Sequence, residues 1–141
     1  MEYDVEKMSE DFTKFHLNRE GHAPWPFRPV IHKFNGPDKG GPHDHPWGFT
    51  SHVLHGSYVE KVYTVTPDGT WSSTTFHRKA GTAHQVAATC IHEIIELPDG
   101  ECFTLVLAGP WERETQFWRF EDYGAFYRNW RDGSPWKELA S

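Results

Sequence analysis

Two Pro-Asp-Gly tripeptides, Pro67-Asp68-Gly69 and Pro98-Asp99-Gly100, cut the middle of the chain into short runs of β-prone residues. Proline presets the first turn angle, aspartate hydrogen-bonds the backbone ahead of it, and glycine accepts the left-handed conformation that completes a tight turn. Around them stand VYTV, EIIEL and CFTLVL, rich in branched and aromatic side chains. Gly56, Gly81 and Gly109-Pro110 mark further corners. This punctuation predicts strands over 30–35, 48–55, 57–65, 70–77, 84–89, 91–97, 101–108 and 115–121. Strands so short and so evenly spaced fold as an antiparallel sandwich or barrel, an all-β class.

Ahead of them the period changes. Val5, Met8, Phe12 and Phe15 recur at helical spacing, with Glu6, Glu10 and Asp11 on other faces. That pattern predicts an amphipathic helix over residues 4–19. Gly21 would stop it, and Pro24, Pro26 and Pro29 forbid its continuation. The expected organisation is therefore an N-terminal helix within 1–22, packed on a barrel over 23–141. Tyr127, Trp130 and Trp136 then form an aromatic C-terminal tail over that barrel.

Composition narrows the partners. The formal net charge is −6 and the basic residues form no stripe, which disfavours nucleic acid. No long apolar run suggests a membrane span or signal peptide, so a soluble cytoplasmic protein is expected. Cys90 and Cys102 form no CxxC pair and sit among apolar neighbours, so both are expected as reduced thiols. GxSxG, P-loop, GxGxxG and HExxH motifs are all absent.

What remains is histidine, present ten times without a terminal tag. Residues two apart on an extended segment share a face, so His43 and His45 can present their imidazoles side by side. Two nitrogens hold a metal weakly, and a third must come from elsewhere. His84, three residues beyond Gly81, supplies it. His52 reaches the same pocket only in one of two registers, and would then be a further ligand. Tyr58 and Glu60 alternate on the next strand and share a face. Glu60 there is either a base or an acceptor for a ligand histidine, or else an exposed strand charge. His32 either touches the site or is a solvent-facing or core histidine, His55 adjoins the Gly56 turn and is expected exposed, and His16, His22, His77 and His92 show no pairing logic. Trp47 walls the pocket, and Phe34, Phe49, Phe103 and Phe117 are expected in the barrel interior.

The stretch His43-x-His45-x3-Phe49-x6-Gly56 resembles the first cupin motif, and Lys79-x-Gly81-x2-His84 is similar to the second. The resemblance spans about residues 29–121 and extends, through His45-Pro46-Trp47, to small cupin-like proteins of bacteria and phages. It implies a jelly-roll barrel, the double-stranded β-helix. The chain departs from the motifs at Phe49 or Thr50, where the first carries glutamate, and at Lys79, where the second carries proline. In the narrower group Gly48 is often aspartate. Without that glutamate the resemblance implies a three-histidine site, of the kind that holds ferrous iron in some cupin dioxygenases.

Three functions follow. One is an iron-dependent, dioxygenase-like oxidoreductase acting on a small molecule, with Glu60 and Tyr58 as catalytic candidates. The second is a lyase, isomerase or hydrolase using Zn, Ni or Mn as a Lewis acid. The third is a non-catalytic module that binds a metal or ligand. The cupin resemblance makes a homodimer through sheet edges compatible with any of them.

Overall fold

The structure is a computed structural model that describes residues 3–17, 28–38, 40–131 and 135–139. Its strands, in chain order, are β1 Tyr3–Ser9, β2 Phe12–Leu17, β3 Arg28–Phe34, β4 Phe49–His55, β5 Ser57–Val65, β6 Trp71–Lys79, β7 Ala83–Val86, β8 Ile91–Glu96, β9 Cys102–Ala108, β10 Gln116–Glu121, β11 Gly124–Asn129 and β12 Lys137–Glu138. The described residues contain no helix, hence none long and apolar enough to cross a membrane.

Every pairing is antiparallel. One sheet has the order β1-β2-β3-β9-β4-β7, and opposite it lie the two three-stranded sheets β6-β5-β8 and β10-β11-β12. A short segment bridges those two, because His43 pairs with His92 of β8 on one side and Phe117 of β10 on the other. The core lies between the layers: Phe34, Val53 and Cys102 from the first meet Tyr58 and Ile94 from the second. Burying an apolar side chain of this size contributes about 1.5–3 kcal/mol. β9 shows the strand period most clearly. Cys102, Thr104, Val106 and Ala108 are buried, and the residues between them only half so. Phe103 therefore leaves the interior and lies against His55 and Lys33.

The turn punctuation placed β3 to β10 well, and β5 spans the residues expected of it. At Gly56, between β4 and β5, φ is +76° and a β-carbon would stand 2.5 Å from the Glu101 carbonyl oxygen. Only glycine fits that corner.

Where a helix is expected over residues 4–19, the described residues 4–17 form a hairpin instead. Tyr3 lies opposite Leu17 in β1–β2, and Phe12 lies opposite Phe34 in β2–β3. Val5 and Met8, which a helix would have buried, are 59% and 48% exposed. Phe12 stacks on Phe34 with ring centroids 4.8 Å apart. The competition is between local periodicity and an unpaired edge of β3. Backbone donors and acceptors along that edge need partners, and propensity differences of tenths of a kcal/mol per residue do not outweigh them. Gly21, His22, Pro24 and Pro26 lie outside the described residues. The aromatic tail is likewise ordered as strand: β11 pairs with β10, and Tyr127 packs its ring 5.4 Å from Trp118. Cys90 and Cys102 are both free, and burial pushes each thiol up to about 11.

Candidate metal centre

The segment carrying His43 and His45 precedes β4 and runs between β8 and β10. His43 exchanges both backbone hydrogen bonds with His92 at 3.0 Å, and the His45 N–H donates to the Ala88 carbonyl at 2.9 Å. On the other side the Asp44 N–H donates to Gln116 at 3.1 Å. The backbone is thus locally extended, and the i, i+2 rule applies: His43 and His45 face inward while Asp44 faces away.

Cross-strand pairing then selects the third histidine. Directly opposite His43 stands His92, on the same face. One nitrogen from each of His43, His45 and His92 lies within 4.8 Å of the other two, and these three half-buried residues could hold a metal ion. The Nε2 atoms of His45 and His92 are 2.9 Å apart. A metal–nitrogen bond of about 2.1 Å puts neighbouring nitrogens about 3.0 Å apart at right angles, so this spacing suits adjacent positions of one coordination shell.

The tautomers suit it as well. His92 Nδ1 lies 2.9 Å from Glu60 Oε1, and an ionised carboxylate only accepts, so Nδ1 carries the proton and Nε2 the lone pair. His43 Nδ1 donates to the Gly41 carbonyl at 3.1 Å, which leaves Nε2 for a ligand. His45 Nδ1 is buried without a partner. Burial, reinforced by the neighbouring His92, lowers the pKa of His43. Burial with His92 and His43 pushes His45 well below the ordinary value. Both rings are neutral at pH 7, the state in which imidazole binds a cation.

Glu60 is 1% exposed. Burial alone would raise its pKa, but hydrogen bonds from His84, His92 and Arg78 outweigh that and hold it well below the carboxylate range. Arg78 Nε donates to Oε2 at 2.9 Å. His84 Nε2 stands 3.4 Å from the same oxygen and 3.4 Å from the Tyr58 hydroxyl. Burial, then the Glu60 charge, raises Tyr58 so far that its phenol stays protonated.

The sequence-derived set is therefore divided by the fold. His43 and His45 converge as expected, but His84 is outside their triangle, on the far side of Glu60. The reason is that the histidine pair is not part of β4, so its neighbour is β8 rather than β7. His52 is outside too: Ser51 and Val53 take the buried face of β4, and His52 points to the other. Tyr58 and Glu60 do share the inward face of β5. His32, between Val30 and Phe34 on β3, packs edge-on against Phe12 and Phe34. Trp47 lies under the cations of Arg28 and Lys14, and Phe49 sets its ring edge-on to His45 at 5.0 Å. His92 was passed over because Ile91, Ile94 and Ile95 give β8 no clean alternation. A register shift between Val59 and Glu60 in its pairing with β5 leaves Ile95 without a partner there.

No protein-family model matches the chain, and no curated protein matches it in sequence. Solved structures do match in shape. The hydroxypropylphosphonic acid epoxidase from S. wedmorenis aligns with a TM-score of 0.57 at 14% identity, over 76% of this chain and 55% of that one. The 7S globulin of Momordica charantia aligns at 0.61 and 14%, over 80% and 34%. Oxalate decarboxylase of Bacillus subtilis, described with Mn(II) centres, aligns at 0.57 and 16%, over 76% and 28%. The chain thus spans about half the length of the epoxidase and about a third of the other two. At such identities the likeness is one of fold. The chain has the cupin fold, and in that fold three of its histidines are close enough to share one metal ion.

Proposed function

We propose that this protein is a metal-dependent enzyme of cupin type, a mononuclear iron oxidoreductase of the dioxygenase kind acting on a small molecule. The observation that carries the reading is the convergence of His43, His45 and His92, with His92 oriented by a buried carboxylate. That group contains no carboxylate ligand of its own, so three side chains leave coordination positions open. Ferrous iron held there would supply a centre at which dioxygen and an organic substrate can meet. The similar fold of Fe(II)-HppE is consistent with iron, and the Mn(II) decarboxylase shows that the fold also carries manganese.

The chain's own groups have distinct tasks in this reading. Glu60 fixes the His92 ring by accepting from Nδ1, and its three donors leave it too weak a base to take a proton at neutral pH. Tyr58, the other catalytic candidate, keeps its phenolic proton, and its hydroxyl braces His84 beside Glu60 rather than ionising. Phe49 covers one edge of His45 and limits water on that side.

Elemental analysis of untagged protein prepared without chelators tests the proposal. About one iron per chain, with an iron–nitrosyl resonance on adding nitric oxide, is expected. Zinc, nickel or manganese in place of iron would shift the assignment to Lewis-acid chemistry. A wild-type protein that binds none of these ions would leave a ligand-binding module.

A further inference from the structure

Asp44 separates the two histidines of the pair, and it is 2% exposed. Its carboxylate faces away from the triangle and is fully engaged. Oδ1 accepts from the Gln116 backbone N–H at 2.7 Å and forms an ion pair with the Arg113 guanidinium at 2.6 Å. Oδ2 accepts from the Trp118 indole N–H at 3.0 Å. Arg113 lies just ahead of β10, and Gln116 and Trp118 lie in its first half.

The same stretch holds the flanks of the pair. The N–H groups of Glu112 and Arg113 reach the Pro46 carbonyl at 2.7 and 3.3 Å, and the Trp118 N–H reaches that of Pro42 at 2.9 Å. The Glu112 carboxylate accepts from the Gly48 N–H at 3.2 Å. Residues 112–118 therefore clasp residues 42–48 from the outside, with Asp44 at the centre.

A buried ion pair is not retained for stability alone, since apolar replacements commonly serve as well. What this one fixes is direction. On an extended segment the orientation of residue i determines those of i−1 and i+1. Two N–H donors and one guanidinium arranged around one carboxylate define the backbone plane between the two imidazoles. We infer that Asp44 is a positioning residue of the metal site: by docking into the Arg113–Gln116–Trp118 clasp it aims His43 and His45 at His92. This inference rests on the metal reading above, and it adds a determinant of affinity that touches no ligand nitrogen.

The test is Asp44→Asn, which keeps the shape but turns one acceptor into a donor facing donors. Titration with Fe(II) under anaerobic conditions should show affinity lower by about 10–100-fold, as for other groups that orient metal ligands. Circular dichroism should retain the β spectrum. Arg113→Met, which leaves both N–H donors in place, should weaken binding less. Glu114→Gln, at an exposed residue of the same stretch, should not change it. In metal-free protein the ring resonances of His43 and His45 should move in Asp44→Asn while those of His16 and His55 stay. Asp44→Asn that melts lower but binds Fe(II) as wild type does would overturn the inference. If that variant fails to fold, unchanged affinity and unchanged ring resonances in Arg113→Met would do so. A wild type without affinity for Fe(II), Zn, Ni or Mn defeats the metal reading itself, and the ring resonances then still decide whether Asp44 orients the pair.

Discussion

On one side of Glu60 stand His43, His45 and His92; on the other stand His84, Arg78 and Tyr58. Both groups are inward-facing and both rely on histidine, yet their chemistry is opposite. In the first, each outer nitrogen that has a partner donates to an oxygen, Gly41 for His43 and Glu60 for His92, which turns the other nitrogen of each ring toward the site. In the second, Arg78 and His84 turn their N–H groups toward the Glu60 carboxylate. The first could receive a cation, and the second already contains one in Arg78. Histidine count alone is therefore a poor guide, and the partner of the second ring nitrogen decides what each ring can do.

The comparison can be broken most severely at His92. Of the three candidate ligands His92 alone comes from outside the 43–45 segment, so in His92→Ala metal affinity should fall by at least about 100-fold, read by titration with Fe(II) or Mn(II). A smaller loss is expected from Glu60→Gln, about 10–100-fold, because the His92 ring keeps its place but loses its anchor. The same substitution leaves Arg78 without its carboxylate and should cost about 1–3 kcal/mol in denaturant unfolding.

Acid should act on the first group through the protein's stability. The pKa values of His43 and His45 are lowered in the fold, whereas an unfolded chain protonates at about 6.5. As pH falls below that value the unfolded state binds more protons, so metal-free protein should lose stability from about 6.5 downward. A metal should delay the loss, since it competes with the proton for the same nitrogens. Stability of metal-free protein that stays level between neutral pH and pH 5 would mean these rings are not buried neutral.

His84→Ala is expected to leave metal affinity within about threefold, while removing one donor from Glu60 at about 1 kcal/mol of stability. Equal metal loss in His84→Ala and His92→Ala would merge the two groups and restore the second-motif histidine as a ligand. His52→Ala, on the other face of β4, should alter stability by less than about 0.5 kcal/mol and metal binding not at all.

Much of this was legible in the sequence because it was local. The Pro-Asp-Gly corners, Gly56 and the alternation of CFTLVLA specify their strands within a few residues. The convergence of His43 and His45 needs only an extended backbone. What could not be read was long-range. β1 and β2 are strands because β3 offers an edge, and nothing within Tyr3–Leu17 reports that edge. His92 is the third histidine because residues 42–45 insert beside β8, and Asp44 is buried because residues 113–118 fold back onto it. Pairing of segments distant in sequence decides such contacts, and side-chain periodicity is silent about them.

The bridge between the two three-stranded sheets has a mechanical meaning. β8 and β10 are joined by the residues that carry two of the three candidate ligands, so a metal ion would fasten His92 to His43 and His45 across that seam. Loading and sheet continuity then become one event. Without the ion, the β10-β11-β12 leaf should open as a separate unit, its amides exchanging with deuterium sooner than those of β9. With the ion, the exchange rates of the leaf should approach those of β8, and the domain should unfold as a single cooperative block.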